Sequence, residues 1–440
     1  MSGSSLERIF EAGHIETRTL ADLRAPPPPP AHDDPAAVAA ATSARHDLPA
    51  LLTQLYEPSL SGGGGNARPS PRHGGSRGST GQGALTEKHL RWARALLREA
   101  IVAACADAGY ELSAVGCLCV CTSTGYLLPG LSAHVLKDLQ LPRGCTRLDI
   151  VGMGCHAGLN SIQAAANWAH AHPGRLALAC SVEMSSAHFL WPAEAEASGG
   201  ASGGGSGGAN GGASGGAAAA ARRAERINHA IVNSLFSDGA FAACLLCPRP
   251  EERRVPAHYL ALHEFASLTA AEALGTMEYR WDEAHAQFWF HLSEEAPYAV
   301  GAALYELCAA ERLAGLPLEM VRHWVMHTGG QTVIDAAAAA LGLDLPELEA
   351  TVRALKRYGN NSSASFMFAF SELLEHPPSV VSPGDLGVFL TMGPGAGLEL
   401  GLWTAGTRAA TPSCVPLAGW EPASLLPVRA SHVRRIADPP

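Results

Sequence analysis

RLDIVGMGCHAGLN, residues Arg147 to Asn160, joins a short apolar run to an alanine-rich run that continues to about His170. The first run predicts a strand over Arg147–Met153 and the second a helix, with a glycine-framed turn around Cys155 between them. A thiol at a helix N-terminus faces free N–H groups and the positive end of the helix dipole, which favours the thiolate. The stretch therefore predicts a strand–turn–helix unit with a candidate nucleophile, although a buried structural cysteine fits the local sequence equally well.

Strands and helices alternate on both sides of this unit. The two successive series predict two α/β units packed together, meeting near residue 250. The first series consists of a helix over Thr86–Ala108 and strands over Val115–Cys121, Arg175–Val182 and Ala240–Cys247. The second consists of helices at about Tyr298–Leu313, Gln331–Leu341, Leu345–Tyr358 and Ser362–Glu375, with strands over His323–His327, Leu386–Met392 and Leu398–Trp403.

Low-complexity segments divide the chain further. Residues 1–83 hold a five-proline run and a Gly/Ser-rich stretch, and residues 198–221 form a second Gly/Ser/Ala-rich stretch. Such segments bury too little surface to offset their chain entropy, so we expect flexible loops. The predicted organisation is an N-terminal segment over 1–83, one half over 84–250 with an insertion at 198–221, a second half over 251–405, and a tail over 406–440.

The composition excludes several classes of protein. Of the 440 residues 47% are hydrophobic and 16% are charged, and the net charge is −10. Without a basic stripe or a long apolar run, we expect neither nucleic acid nor a membrane as a partner. Eleven cysteines, an odd number, argue against a disulfide framework and for a reducing, cytoplasmic location. Cys244 and Cys247 form a lone CxxC pair, so no metal site is predicted.

Two further motifs carry polar groups at places suited to a site. In VMHTGG, His327 ends an apolar strand, and Gly329 and Gly330 let a ligand approach the backbone. In YGNNSSAS, Asn360 follows a glycine at a predicted helix start. Taken alone, His327 is equally consistent with a buried histidine whose hydrogen bonds are satisfied. Asn360 and the serines after it are equally consistent with helix-capping residues.

Cys155, His327 and Asn360, in this order and with these flanks, resemble the triad of the thiolase superfamily. The resemblance is strongest to type III polyketide synthases, the chalcone synthase-like enzymes, and extends over about Leu85–Trp403 apart from the second insertion. The wording MGCHAGLN, HTGGQ and SASFMFAF is more similar to bacterial 3,5-dihydroxyphenylacetyl-CoA synthase-like members than to plant chalcone synthases. Further segments that resemble family motifs are LFSDGA at Leu235–Ala240, MGPG at Met392–Gly395 and the segment Cys121–Gly130.

The resemblance implies an αβαβα layered fold with two related halves, a homodimer, and a condensing enzyme that acts on CoA thioesters without another cofactor. Cys155 would carry the acyl starter, and His327 and Asn360 would stabilise the enolate formed when malonyl-CoA loses CO₂. Main-chain N–H groups near Cys155 and the loop Gly393-Pro394-Gly395 would hold the tetrahedral oxyanion.

The resemblance also implies which residues surround the substrate. Phe236 and Phe290 would form an aromatic gate between the CoA tunnel and the cavity, or else belong to an ordinary aromatic core. His188 would shape the cavity, and Arg18 is a candidate for binding the CoA phosphate. The remaining residues implied at cavity or dimer-contact positions are Ser123, Thr124 and Leu128.

Alternatives remain at this point. A ketoacyl-ACP synthase III-like or 3-hydroxy-3-methylglutaryl-CoA synthase-like condensing enzyme shares the Cys–His scaffold, and a non-catalytic paralogue could serve as a dimer partner. The family has a strand before the segment matched by Leu6–Arg18, and no counterpart is seen here. We therefore expect either a truncated N-terminus or another segment in the place of that strand.

Overall fold

The computed structural model describes residues 82–189, 213–249, 258–283, 286–309, 320–376, 381–407, 424–427 and 433–434. Its α-helices are α1 (Gln82–Ala108), α2 (Leu131–Asp138), α3 (Ala157–Ala171), α4 (Ala213–Leu235), α5 (Ala296–Ala309), α6 (Gln331–Leu341), α7 (Glu349–Tyr358) and α8 (Ser365–Glu375). Its strands are β1 (Val115–Cys121), β2 (Thr146–Ile150), β3 (Leu176–Met184), β4 (Asp238–Leu245), β5 (His258–Thr269), β6 (Met277–Asp282), β7 (Gln287–Leu292), β8 (Val321–Met326), β9 (Leu386–Gly393), β10 (Gly397–Thr407), β11 (Ser424–Pro427) and β12 (Val433–Arg434).

The strands form two mixed sheets and one hairpin. The N-terminal sheet has the order β12-β4-β3-β1-β2, and the C-terminal sheet has the order β11-β5-β10-β9-β8. In the first sheet β1 runs parallel to β2 and β3, and β4 runs antiparallel to β3. In the second, β8 and β9 are parallel and β10 runs antiparallel to β9 and β5. The hairpin is β6–β7, which stands outside both sheets.

Three buried clusters separate the layers. Helices α1 and α2 cover the outer face of the N-terminal sheet, and α5 and α6 cover the outer face of the C-terminal sheet. Helices α3 and α8 lie between the sheets and share one cluster with strands of both. Strand β1 shows the two-sided burial, because Cys117 and Cys119 face the central helices while Leu118 and Val120 face the outer ones. The predicted α/β fold with αβαβα layering is confirmed.

The central layer brings α3 very close to the turn that precedes α8. A Cβ atom on Gly158 would lie 2.0 Å from the carbonyl oxygen of Ser363, so only glycine fits at this position. Buried alanines such as Ala165 and Ala169 keep the rest of α3 narrow enough to pack between two sheets. This close approach fixes the N-terminal end of α3 against residues 362–364.

Some element boundaries differ from the sequence prediction. Strand β2 ends at Ile150 rather than Met153, because Gly152 and Gly154 have positive φ angles and turn the chain. Helix α4 begins at Ala213, so the predicted loop at 198–221 is wrong from that residue onward, and the rest of it lies outside the described residues. Strand β5 and the hairpin β6–β7 were not predicted, because polar residues interrupt their apolar pattern.

Residues near the C-terminus pair with the edges of both sheets. Strand β11 pairs antiparallel with β5, and β12 pairs antiparallel with β4. In the C-terminal half the long strand β5 lies beside β10, whereas in the N-terminal half β12 stands at the matching position beside β4. Among the described residues the two-residue strand β12 lies beside β4, and the choice between the two alternatives for the family's first strand stays a prediction. Residues 1–81, with the predicted CoA-binding Arg18, lie outside the described part of the chain.

No helix in the described part of the chain is long and apolar enough to cross a lipid bilayer.

Candidate active site

Cys155 lies in a single 3₁₀ turn, Gly154–His156, between β2 and α3. Gly154 has a φ of +70°, and a Cβ atom on it would lie 2.4 Å from the ring of Pro394. Glycine is therefore required here both for the backbone conformation and for the close approach of the 394–396 turn. The turn leaves the Cys155 side chain 7% exposed, at the wall of a cavity.

His327 and Asn360 are held by backbone hydrogen bonds from neighbouring strands and helices. His327 follows β8, and its N–H donates to the carbonyl of Leu390 at 2.9 Å. Asn360 follows Gly359, whose φ is +69°, and its N–H donates to the carbonyl of Leu235 at 2.9 Å. A β-bridge joins Asn360 to Phe236, so the LFSDGA segment and the asparagine turn hold each other in place.

Ser362 contacts all three predicted catalytic residues. Its hydroxyl donates to the Sγ of Cys155 at 3.4 Å, and its N–H donates to the Oδ1 of Asn360 at 2.8 Å. The backbone of Ser362 also acts on the ring of His327 and favours its protonated form. Ser362 has a φ of +51°, an uncommon conformation for a residue other than glycine and one often found at functional sites. The structure therefore brings the thiol, the imidazole and the carboxamide together around one serine.

A buried carboxylate extends this arrangement away from the thiol. Glu183 accepts hydrogen bonds from the N–H and hydroxyl of Ser123, the latter at 2.8 Å, and from the hydroxyl of Thr124 at 2.9 Å. It also accepts from the hydroxyl of Ser363. The hydroxyl of Ser123 lies 3.1 Å from that of Ser362, so close polar contacts run from Cys155 to Glu183. Burial raises the pKa of Glu183, and the donors around it act in the opposite direction.

Sequence reasoning missed two members of this path. Ser362 was interpreted only as a capping residue, because a serine after Asn-Asn gives no stronger local signal. Glu183 had one usable signal, a charged residue inside the otherwise apolar strand β3, and such residues are rarely buried without hydrogen-bond partners.

Burial keeps the thiol and the imidazole neutral in the free protein. It raises the pKa of Cys155 to about 12, although hydrogen bonds from Ser362 and the backbone act to lower it. It also lowers the pKa of His327 to about 3. Burial therefore acts against the thiolate that the helix N-terminus favours, and the thiolate at Cys155 stays a prediction.

One cavity of about 320 Å³ adjoins the thiol. Its walls are mostly apolar and aromatic, with a few polar groups, as is usual for a small-molecule site. Eight of the residues predicted for the site line it: Ser123, Thr124, Cys155, His188, Phe236, Phe290, Pro394 and Gly395.

Phe236 and Phe290 face each other across the cavity wall. Their ring centroids are 5.3 Å apart and their planes meet at 74°, an edge-to-face arrangement. His188 is buried nearby, and its Nε2 lies 2.8 Å from the carbonyl oxygen of Thr124. That hydrogen bond fixes the ring of His188 in the cavity wall.

Other predicted residues stand apart from the cavity. Leu128 is fully exposed, so it does not line the cavity of this chain, and its contact with a second copy stays a prediction. Gly329 and Gly330 do not line the cavity; a Cβ atom on Gly330 would face Leu235. Gly393 does not line it either, but a Cβ atom on this residue would lie 2.9 Å from the backbone nitrogen of Cys155.

One cluster in the described part of the chain has side chains of the types that bind metals: Glu372, Glu375 and His376. The carboxylate of Glu372 already accepts from Arg357 at 3.1 Å and from the hydroxyl of Tyr358 at 2.9 Å. These contacts satisfy the one buried carboxylate of the cluster. We therefore interpret the cluster as a structural feature and not as a metal site.

Two family models match the chain. Residues 273–404 match chalcone and stilbene synthases, C-terminal domain, and residues 78–193 match the FAE1/type III polyketide synthase-like protein. The 3,5-dihydroxyphenylacetyl-CoA synthase of Streptomyces toyocaensis is 37% identical over 329 residues, which cover 74% of this chain and 75% of that protein. The enzyme of the same name from Amycolatopsis balhimycina is 38% identical over 337 residues, covering 76% and 80%.

Solved structures agree on the fold. PKS-I from the brown alga Ectocarpus siliculosus has a TM-score of 0.62 and 23% identity, covering 91% of this chain and 89% of that one. The 1,3,6,8-tetrahydroxynaphthalene synthase of Streptomyces coelicolor, a bacterial type III polyketide synthase, has a TM-score of 0.60 and 20% identity, covering 75% and 83%. The sequence matches and the shared fold point the same way: this chain belongs to the type III polyketide synthase family.

Proposed function

We propose that this enzyme condenses malonyl-CoA units onto an acyl group carried by Cys155 and cyclises the chain to a dihydroxyphenyl-type product. Type III polyketide synthases act on CoA thioesters, and the two bacterial relatives above are named for 3,5-dihydroxyphenylacetyl-CoA. The observation that carries the proposal is the convergence of Cys155, His327 and Asn360 on Ser362, which lines the cavity together with Cys155. No cofactor other than the CoA thioesters enters the proposal.

Loading begins with attack of the Cys155 sulfur on the thioester carbonyl of the starter. The thiol proton passes to His327, whose Nδ1 has no hydrogen-bond partner among the described residues. The C–S bond to CoA then breaks, and the imidazolium returns the proton to the leaving thiolate. The acyl–Cys155 thioester and free CoA are the products, and His327 is neutral again.

Extension needs donors for a developing enolate. Asn360 uses its Oδ1 to accept from Ser362 at 2.8 Å and from Ser365 at 3.2 Å, which aims its amide group. Its Nδ2 has no partner in the described part of the chain, so it is available to the thioester oxygen of malonyl-CoA. When the C–C bond to the carboxylate breaks and CO₂ leaves, Asn360 and His327 stabilise the negative charge on that oxygen. The enolate carbon then attacks the acyl carbon on Cys155.

The attack places negative charge on the former acyl oxygen. Gly393 packs against the backbone nitrogen of Cys155, and the turn Pro394–Ala396 follows directly. We assign the backbone N–H groups at this junction to the tetrahedral oxyanion. When that intermediate collapses, Cys155 leaves as a thiolate and accepts the lengthened chain in the next transfer.

We further propose that the enzyme is a homodimer in the cytoplasm. An exposed apolar patch surrounds the edge strand β2, with Leu128 fully exposed, Tyr126 53% and Val151 50% exposed. The Leu128 loop lies against this strand, because a Cβ atom on Gly130 would be 2.5 Å from Asp149. A patch of this kind beside the cavity fits contact with a second copy of the chain.

Incubation with malonyl-CoA alone tests the function. We expect release of CO₂ and CoA, a cyclised product without any carrier protein, and an acyl adduct on Cys155 by mass spectrometry. Cys155→Ala should abolish adduct and product. A requirement for an acyl carrier protein would favour a ketoacyl-ACP synthase III-like enzyme. Condensation of acetyl-CoA with acetoacetyl-CoA would favour a 3-hydroxy-3-methylglutaryl-CoA synthase-like enzyme. No adduct with any acyl-CoA would favour a non-catalytic dimer partner.

A further inference from the structure

We propose that Tyr279 determines specificity: its phenolic hydroxyl donates a hydrogen bond to a keto oxygen of the chain carried on Cys155. The inference rests on the proposed function and adds to it the residue that selects how the chain folds before cyclisation. Tyr279 belongs to the β6–β7 hairpin and lines the cavity together with Met277 and Phe290.

The hairpin sets the direction of this side chain. Tyr279 pairs directly with Phe290 across the hairpin, and Met277 pairs with Leu292. Because side chains alternate along a strand, these four lie on one face, which is apolar apart from the phenol oxygen. The ring is fixed by His188, whose centroid is 5.2 Å away, and by Phe290 at 5.7 Å.

The hydroxyl of Tyr279 stays unpaired, whereas several other polar groups of the cavity are hydrogen-bonded. Ser123 and Thr124 donate to Glu183, and Ser362 donates to Cys155. The ring of His188 is occupied by the carbonyl of Thr124. Tyr279 has no hydrogen-bond partner among the described residues, and its oxygen is not sealed in the interior as the unpaired hydroxyl of Ser185 is. A phenol in such a position is satisfied by what occupies the cavity.

The phenol of Tyr279 keeps its proton, and it lines the same cavity as Cys155. Burial raises its pKa well above the ordinary value, and the electrostatic effect of Glu183 acts in the same direction. The protonated hydroxyl can therefore act as a hydrogen-bond donor.

The substrate offers a matching acceptor at regular intervals. A poly-β-keto chain carries a ketone oxygen on every second carbon, while the wall around Tyr279 offers mostly hydrocarbon. A donor at a fixed position then determines which ketone oxygen is bound and polarised. It thereby determines which methylene carbon attacks which carbonyl carbon. No covalent bond to Tyr279 forms, and the phenol proton stays on its oxygen.

Tyr279→Phe removes the hydroxyl and keeps the ring contacts. The matched control is Tyr298→Phe, which makes the same chemical change on α5, where the side chain is 79% exposed. Both variants are compared with wild type in three assays: acylation of Cys155, release of labelled CO₂ from malonyl-CoA, and the product profile. Thermal unfolding is measured alongside, and we expect equal midpoints because the packing is retained.

For Tyr279→Phe we expect acylation of Cys155 and release of CO₂ to stay within about twofold of wild type. The ratio of the wild-type product to wrongly cyclised lactones and uncyclised acids should fall by about tenfold. Tyr298→Phe should leave all three unchanged. An unchanged product ratio in Tyr279→Phe, or an equal loss in all three assays, would overturn the assignment. Wild type that forms no product from any CoA thioester would contradict the proposed function, and the assignment of Tyr279 with it.

Discussion

The hydroxyl of Ser362 lies 3.4 Å from the sulfur of Cys155 and donates to it. A hydroxyl has one proton, so while Ser362 donates to the thiol it cannot also donate to Ser123, whose hydroxyl lies 3.1 Å away and donates to Glu183. A thiolate at Cys155 would strengthen the hydrogen bond from Ser362, because a charged acceptor binds a hydroxyl more strongly. Ser362 is a positioning residue that acts on the nucleophile.

Ser362→Ala removes this donor, and the hydrogen bond from Ser362 acts to lower the pKa of Cys155. We expect alkylation of Cys155 by iodoacetamide to become slower by about tenfold at fixed pH and its pH profile to move to higher pH. Ser234→Ala, which removes a hydroxyl bonded within α4 at 2.8 Å, is the control. An unmoved pH profile in Ser362→Ala would contradict the role.

Asn360→Asp keeps the Oδ1 acceptor for Ser362 and replaces the amide donor by a second oxygen. We expect CO₂ release from malonyl-CoA to fall by about 100- to 1,000-fold, as for the loss of one oxyanion donor. Acylation of Cys155 should persist, since the starter is loaded without Asn360. Intact-protein mass spectrometry and a labelled-CO₂ assay measure the two steps separately. Equal losses in both steps would count against a role confined to the enolate.

Gly158→Ala places a Cβ atom 2.0 Å from the carbonyl oxygen of Ser363. The backbone cannot give way there without moving Ser362, so we expect the free energy of unfolding to fall by about 3 kcal/mol and Cys155 to lose reactivity. Gly144→Ala is the control, because a Cβ atom at that glycine meets nothing within 4 Å. Chemical denaturation of both variants checks the prediction, which fails if they are equally stable.

Acid should destabilise the protein through buried neutral histidines. Burial lowers the pKa of His89 and His327 to about 3 and that of His156 to about 4. Between pH 6.5 and about 4 the unfolded chain binds protons that the folded chain does not, so stability falls as the pH falls. At pH 5 each group contributes a loss of about 2 kcal/mol.

His89 isolates this effect, because it lies outside the site and neither ring nitrogen has a partner among the described residues. His89→Gln removes one titrating group. The slope of the unfolding free energy against pH between 6.5 and 4 should therefore decrease by about one proton. The measurement is denaturant unfolding at a series of pH values, and an unaltered slope would show that His89 does not titrate as its burial indicates.

The alternation of strands and helices was sufficient for two α/β units, and the resemblance to a known family supplied the αβαβα layering and the set Cys155, His327 and Asn360. The sequence could not show how the turns that carry these residues meet. Ser362 depends on a positive φ and Glu183 on hydroxyls contributed by two distant segments, and neither leaves a local pattern. The burial that raises the pKa of Cys155 could not be predicted either, because the helix N-terminus is visible in the sequence whereas burial is not.

The pairing of β11 with β5 and of β12 with β4 has a practical consequence for handling the protein. Strands β11 and β12 pair with strands of the two different halves, so removing them would expose an edge of both sheets at once. Immobilisation and labelling are better directed to the exposed surface of α5, around Tyr305, than to the carboxyl end.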